Sequence, residues 1–237
     1  MRMPLWTLFG LIQPLIWLVI FGELFRNMAS LGGFPAGSYI EFLTPGILVM
    51  TVLFGSSWSG VSLLREINFG TVNKVLVTPV NRISIVLSRV LHSAATVLLQ
   101  ILIIFGLARL MGAKVQGGVA GFLIVVLAIL FLAVGFAALS NGFAMSLKRE
   151  EPLVVVGNMM TLPLMFFSSA FVPQAMMPDW IRNLSVLNPV SYSVDAVRLG
   201  LSGNYGAPFY VSFILVVVFS IASLAWATRT FVRQQED

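Results

Sequence analysis

The chain contains no cysteine, one histidine and nine acidic residues among 237. The first absence excludes disulfides, thiolate metal sites and cysteine nucleophiles, and leaves the redox compartment open. The lone imidazole, His92, has few acids near it and no cysteine to share a metal with, so it reads as a packing or interfacial side chain rather than a ligand or proton relay. Nowhere does the sequence hold a G-x-x-x-x-G-K-[ST] phosphate loop. Charge is scarce at 10% of residues, against 58% apolar. A water-soluble domain with that balance would aggregate, which makes the chain an integral membrane protein.

Hydrophobic runs are abundant instead. A spanning helix needs about 20 apolar residues, and six stretches qualify: Pro4 to Phe25, Phe42 to Leu64, Val90 to Leu110, Gly118 to Met145, Pro152 to Val172 and Phe209 to Ala227. The expected fold is therefore an all-α integral membrane protein with six transmembrane helices in a single domain, 1–237. The first run is too long for a signal-peptide core and reads as a retained helix. The net charge of +5 raises nucleic acid as a partner, but the basic residues flank the runs at the membrane edge and speak of orientation instead. With the N-terminus inside, nine of fourteen basic residues (Arg2, Arg65, Lys74, Arg82, Arg89, Lys148, Arg149, Arg229 and Arg233) fall on the cytoplasmic side. Both termini are then cytoplasmic, in a multi-pass protein of the plasma membrane.

Two connections are long, 65–89 inside and 173–208 outside, and function is expected to concentrate there. In the inner one, Thr71 caps a short helix through Val72, Asn73, Lys74, Val75, Leu76 and Val77. Thr78-Pro79 ends it, because a residue before proline is pushed out of helical geometry. An amphipathic connector touching lipid phosphates would share this basic character, but it would need neither a glycine-threonine break nor a sharp proline stop. A short stiff helix offered to the cytoplasm suits docking into a groove on a partner.

The outer connection predicts two short amphipathic helices. Pro178 starts one, with Trp180, Ile181, Leu184 and Leu187 on a single face. Asn188 caps the next, with Pro189 in its first turn, Val190, Val194, Val197 and Leu201 on one face, and Asp195 and Arg198 three apart on another. Gly200 and Gly203 supply exits. Neither helix is long enough to cross a bilayer, so together they form a re-entrant hairpin at the external mouth, with Trp180 and Tyr192 suited to the headgroup belt.

Elsewhere, Glu23 and Arg26 read as an interfacial pair, and Glu150-Glu151 as a solvated reversal opening a helix at Pro152. Gly117 and Gly121 make a G-x-x-x-G spacing, which close helix approach would use and which chance would equally produce in a chain with twenty glycines. The fifth run mixes Asn158, Thr161, Phe166 and Phe167, as a substrate-facing wall or a kinked packing helix would.

The two loops carry the patterns RE-x-x-x-GT-x-x-x-x-x-x-TPV-x-R, from Arg65 to Arg82, and F-x-P-x-x-x-MP-x-W-x-x-x-x-x-x-x-NP-x-SY-x-VDA-x-R, from Phe171 to Arg198. In these the sequence resembles the membrane subunits of ABC-2 type exporters, especially the drug-resistance branch. The resemblance implies that Glu66, Gly70, Thr71, Lys74, Thr78, Pro79 and Arg82 form a cytoplasmic coupling helix seated on a separate ABC ATPase. It also implies that Pro173, Pro178, Trp180, Asn188, Pro189, Tyr192, Asp195 and Arg198 build the extracellular hairpin. This chain would bind no cofactor, ATP and Mg residing on the ATPase partner. The permease would pair with a second subunit, identical or not, and move an amphipathic drug, lipid or glycan outward. Members usually carry an amphipathic interface helix before the first span, whereas here the apolar run starts at Pro4. The alternatives are an ATP-independent secondary carrier and a lipid-modifying membrane enzyme; the second would require a cluster of acids or histidines at one depth, which the sequence lacks.

Overall fold

The computed structural model describes residues 4–25, 39–69, 82–113 and 116–233; the side chains of residues 4–9, 82–94 and 231–233 fall outside that description. Among the described residues the fold is all-helical: α1 (Pro4–Leu24), α2 (Tyr39–Ser57), α3 (Ser59–Asn68), α4 (Arg82–Leu110), α5 (Gly118–Leu147), α6 (Glu150–Phe166), α7 (Asp179–Val186), α8 (Pro189–Ser202) and α9 (Ala207–Arg233), with one 3-10 turn at Gln174–Met176. Among the described residues, three stretches are long and apolar enough to cross a membrane: Tyr39–Asn68, Gly118–Leu147 and Ala207–Thr230. Gly10–Leu24 and Ala95–Leu110 are shorter apolar helices.

A helix lies at each of the six apolar runs, with shifted ends. The second run begins earlier, at Tyr39, and breaks between α2 and α3 at Trp58. The fifth ends at Phe166 rather than Val172. There Ser168 turns its hydroxyl onto the Met165 carbonyl at 2.6 Å, so a serine side chain competes with the backbone and the chain leaves the helix.

The bundle is built around α2. Every residue from Phe42 to Leu53 is buried, because α1, α4, α5, α6 and α8 all pack on it; a helix apolar on all sides has this destination. Its hydroxyls are satisfied within the helix, Thr44 donating to the Ile40 carbonyl and Thr51 to that of Ile47, which removes the cost of burying them bare. The most extensive pairing joins α5 to α9. Gly135 and Gly142 leave room there for the rings of Phe219 and Trp226, and the Phe136 ring lies tilted against that of Phe219 at 5.1 Å. The other side of α9 exposes Val211, Ile214, Val218 and Ile221, the surface a helix presents to lipid.

The hairpin of α7 and α8 sits at one end, with the start of α2 and the end of α6. At the opposite end α3 packs on α5 and α6 around a small second hydrophobic cluster of Val61, Leu63, Leu64, Ala144 and Leu153.

Candidate functional site

Asn188 holds the hairpin to the bundle. It is buried, and its side-chain oxygen accepts the Val190 N–H at 2.9 Å, the N-cap bond of α8 with Pro189 at the first helical position. Its amide nitrogen donates to the carbonyls of Leu164, at 2.6 Å, and Phe167, at 3.0 Å. Those are carbonyls of the last turn of α6 and of its C-cap residue, which a helix end leaves without internal donors. One amide thus closes the end of α6 and the start of α8 together.

A turn later, Asp195 and Arg198 pair on α8 at 3.2 Å, as their spacing predicts. The remaining contacts lie far away in sequence. Arg198 donates to the Ser169 carbonyl at 2.9 Å and lies 4.2 Å from the Phe42 ring centroid. Ser169 in turn donates its hydroxyl to Asp195 at 2.9 Å. The guanidinium therefore ties α8 to α2 and to the turn after α6, through a forked donor set and a cation–π contact. Burial pushes the Asp195 carboxyl up, while the Arg198 charge and the Ser169 hydroxyl pull it down. Burial likewise lowers Arg198, to about 10, so it stays cationic at neutral pH. Both side chains are half-buried, and partial desolvation offsets part of their attraction, so the pair specifies where α8 docks more than it adds stability.

The C-terminal end of α8 meets the start of α5. Gln116 and Gly117 donate their N–H groups to the Leu201 carbonyl at 3.0 and 2.9 Å. A Cβ on Gly117 or Gly121 would run into the Gly200 carbonyl. The G-x-x-x-G spacing thus serves close approach to the hairpin. Gly203 ends α8 at φ 73°, in the left-handed region, while Gly200 lies inside the helix as a contact point. Val190, Val194, Val197 and Leu201 are buried together, as their periodicity predicts.

Pro178 is the N-cap of α7 and Asp179 its first helical residue, one position from the expectation; the missing N–H of proline is harmless at either position. Asp179 pairs with Arg182 on the surface. The apolar face of α7 points outward, with Trp180, Leu184 and Leu187 exposed; Trp180 also meets Phe167 edge-on at 6.0 Å. Tyr192 donates its hydroxyl to the Val186 carbonyl at 2.6 Å, bridging the two hairpin helices. Pro173 is buried and caps the 3-10 turn. On α6, Asn158 and Phe166 are exposed, whereas Thr161 is buried with its hydroxyl 3.1 Å from that of Ser57.

Of the residues expected to couple to a partner, Gly70, Thr71, Lys74, Thr78 and Pro79 lie outside the described residues, as does the side chain of Arg82, the first residue of α4. Glu66 is half-buried in α3. Beside it Arg65 pairs with Glu150 at 3.0 Å, so the Glu150 expected to be merely solvated also joins the start of α6 to α3. Arg26, the expected partner of Glu23, and the side chain of His92 are also outside the described residues.

Sequence reasoning missed Ser169 and Phe42, the partners of Arg198. No local signal marks them, because they are chosen by the packing of three segments distant in the chain.

Residues 1–202 match the family of ABC-2 type transporters. The chain belongs to the ABC-2 type transporter family. This ABC-2 permease is 33% identical over 199 residues to the transport permease ycf38 of Cyanophora paradoxa, covering 83% of this chain and 68% of the relative. It is 30% identical to the daunorubicin resistance ABC transporter permease protein DrrB1 of Streptomyces coeruleorubidus, over 82% of this chain and 68% of that one. The inner membrane transport permease YadH of Escherichia coli is similar over a longer stretch, 27% identical across 90% of this chain and 83% of its own. The family is one of membrane transport permeases rather than catalytic enzymes.

Proposed function

We propose that this ABC-2 permease is the membrane-spanning subunit of an ATP-driven exporter. The observation that carries the reading is the family match across residues 1–202 in a sequence with no phosphate loop of its own. ATP and Mg then belong to a cytoplasmic ABC ATPase, and the permease works beside a second permease subunit, the same chain or a related one. With six crossings and both termini in the cytoplasm of a plasma membrane, the hairpin is outside and α3, with the 70–82 segment, is inside.

In this scheme ATP binding biases an equilibrium between inward and outward states, and it acts only through the difference in its affinity for the two. The motion enters through Glu66, Gly70, Thr71, Lys74, Thr78, Pro79 and Arg82. The drug-resistance names of relatives support an amphipathic drug-like cargo. For the cargo path we assign the exposed edge of α6, where Val155, Asn158, Leu162 and Phe166 recur at helical spacing. One amide in an apolar stripe gives such a wall a hydrogen-bonding point, whereas Thr161 is spent on an internal contact.

The test is reconstitution of the permease with its ATPase in proteoliposomes and measurement of ATP-dependent daunorubicin movement. Gly70→Pro and Glu66→Ala should leave insertion intact and abolish transport. Wild-type transport in both, or transport without ATP, would overturn the reading.

A further inference from the structure

At one level of the bundle the apolar packing is interrupted on three elements at once. The junction of α2 and α3 reads Gly55-Ser56-Ser57-Trp58-Ser59-Gly60, α5 contributes Ser140 and Asn141, and α6 contributes Gly157 and Thr161. The main core reaches this level from the hairpin side through Leu53 and Phe136. Beyond it the separate cluster around Val61, Ala144 and Leu153 begins. A seam of hydroxyls and small residues therefore divides two apolar cores.

Ser140 occupies the break itself. The Gly60 N–H donates to its hydroxyl oxygen at 2.9 Å, and that hydroxyl donates to the Ser57 carbonyl at 2.5 Å. One side chain of α5 thus takes up a donor and an acceptor of the interrupted helical ladder. Insertion of a side chain into the ladder, and glycine–serine pairs, are recurrent causes of helix kinks. Gly60 makes the insertion possible, since a Cβ there would collide with the Ser140 backbone. Ser56 and Ser57 bond back to the carbonyls of Val52 and Leu53 at 2.6 and 2.7 Å, a pattern that also bends helices. Across the seam, Ser57 meets Thr161 at 3.1 Å and Ser59 donates to Asn141 at 3.4 Å. A cleft of about 20 Å³ opens there, lined by Ser57, Ser140 and Thr161 together with the apolar Phe136, Phe143 and Leu153, which is room for one water.

Interlocked apolar side chains resist displacement because any shift opens voids. Hydroxyls on small residues rotate and exchange partners, and glycine lets backbones slide past each other. We propose that the α2–α3 junction is a hinge whose pivot is Ser140, about which α3 swings as a lever relative to the main core. The hinge stands on these contacts alone. Its part in transport rests on the exporter reading, since α3 leads towards the 70–82 segment assigned there to the ATPase. Ser140 is then a positioning residue for coupling, acting through the α2–α3 junction rather than on cargo.

The natural absence of cysteine allows clean paired spin labelling of the full chain in lipid nanodiscs, without an ATPase. One pair, at Ser62 and Val119, spans the seam; a second, at Ile16 and Val119, stays within the main body; all three positions are exposed. Ser140→Ala should roughly double the width of the Ser62–Val119 distance distribution and leave Ile16–Val119 unchanged. Ser220→Ala removes a comparable hydroxyl bridge, from α9 to the Phe131 carbonyl of α5, and should alter neither. Thr161→Val removes a seam contact at constant shape, should widen the first pair in the same sense, and carries the test alone if Ser140→Ala does not fold. Unchanged widths in the variants that fold, or equal widening of both pairs, would overturn the hinge. Selective widening in a permease that fails to transport with ATP would count against the exporter reading only.

Discussion

Replacing Asn188 by alanine removes three hydrogen bonds from two helix ends in one step. Losing the N-cap acceptor of α8 costs about 1 kcal/mol, and each amide bond to the Leu164 and Phe167 carbonyls contributes about another 1 kcal/mol. The total for Asn188→Ala is therefore about 3 kcal/mol, with the hairpin loosening first. Asn188→Ser keeps a capping oxygen but cannot span both carbonyls, so it should cost about 2 kcal/mol. Asn188→Asp is the sharper variant. It also keeps the cap, yet it turns a carboxylate oxygen towards two carbonyls now 2.6 and 3.0 Å from the amide nitrogen, and should be at least as damaging as alanine. Denaturant unfolding in detergent micelles gives the global cost. Trypsin cleavage after Arg182, exposed on α7, reports the hairpin. Alanine within about 0.5 kcal/mol of wild type, or aspartate as stable as asparagine, would refute the double-cap reasoning.

Asp195→Leu and Arg198→Leu each leave a half-buried charge without its partner and should each cost less than the roughly 3 to 5 kcal/mol of a fully buried pair, whereas the double variant should cost less than either alone; thermal unfolding of all three in micelles closes the cycle. Gly121→Ala should destabilise the contact between α5 and α8, because its Cβ would meet the Gly200 carbonyl, while Gly106→Ala, with open space around it, should be neutral or slightly stabilising; the same thermal unfolding measurement separates the two. Arg65→Ala removes a pair whose arginine is 62% exposed, so its stability change should stay below about 1 kcal/mol, as a denaturant midpoint measures.

Much of the hairpin is legible in the sequence, because its signals are local. Asn188-Pro189 must cap and start a helix whatever surrounds it, and Asp195 and Arg198 share a face through helical geometry alone. The valine stripe of α8 announces a buried side by its period. The fifth run is less legible: its apolar composition continues to Val172, but Ser168 bonds back onto Met165 and ends the helix early. The Gly55–Gly60 stretch is visible as small, polar residues inside an apolar run, yet only the approach of α5 shows why the chain tolerates it.

The sequence alone determined that this protein lives in a membrane, that its apolar runs become helices, and where the hairpin helices are capped. Those are consequences of solvation and of neighbours within a few residues. Tertiary structure alone decided that Arg198 rests on Phe42 and Ser169, that Gly121 admits Gly200, and that Ser140 fills the break in α2–α3. Each of these joins segments far apart in the chain, and no helical period or capping rule encodes which distant helix will come within reach.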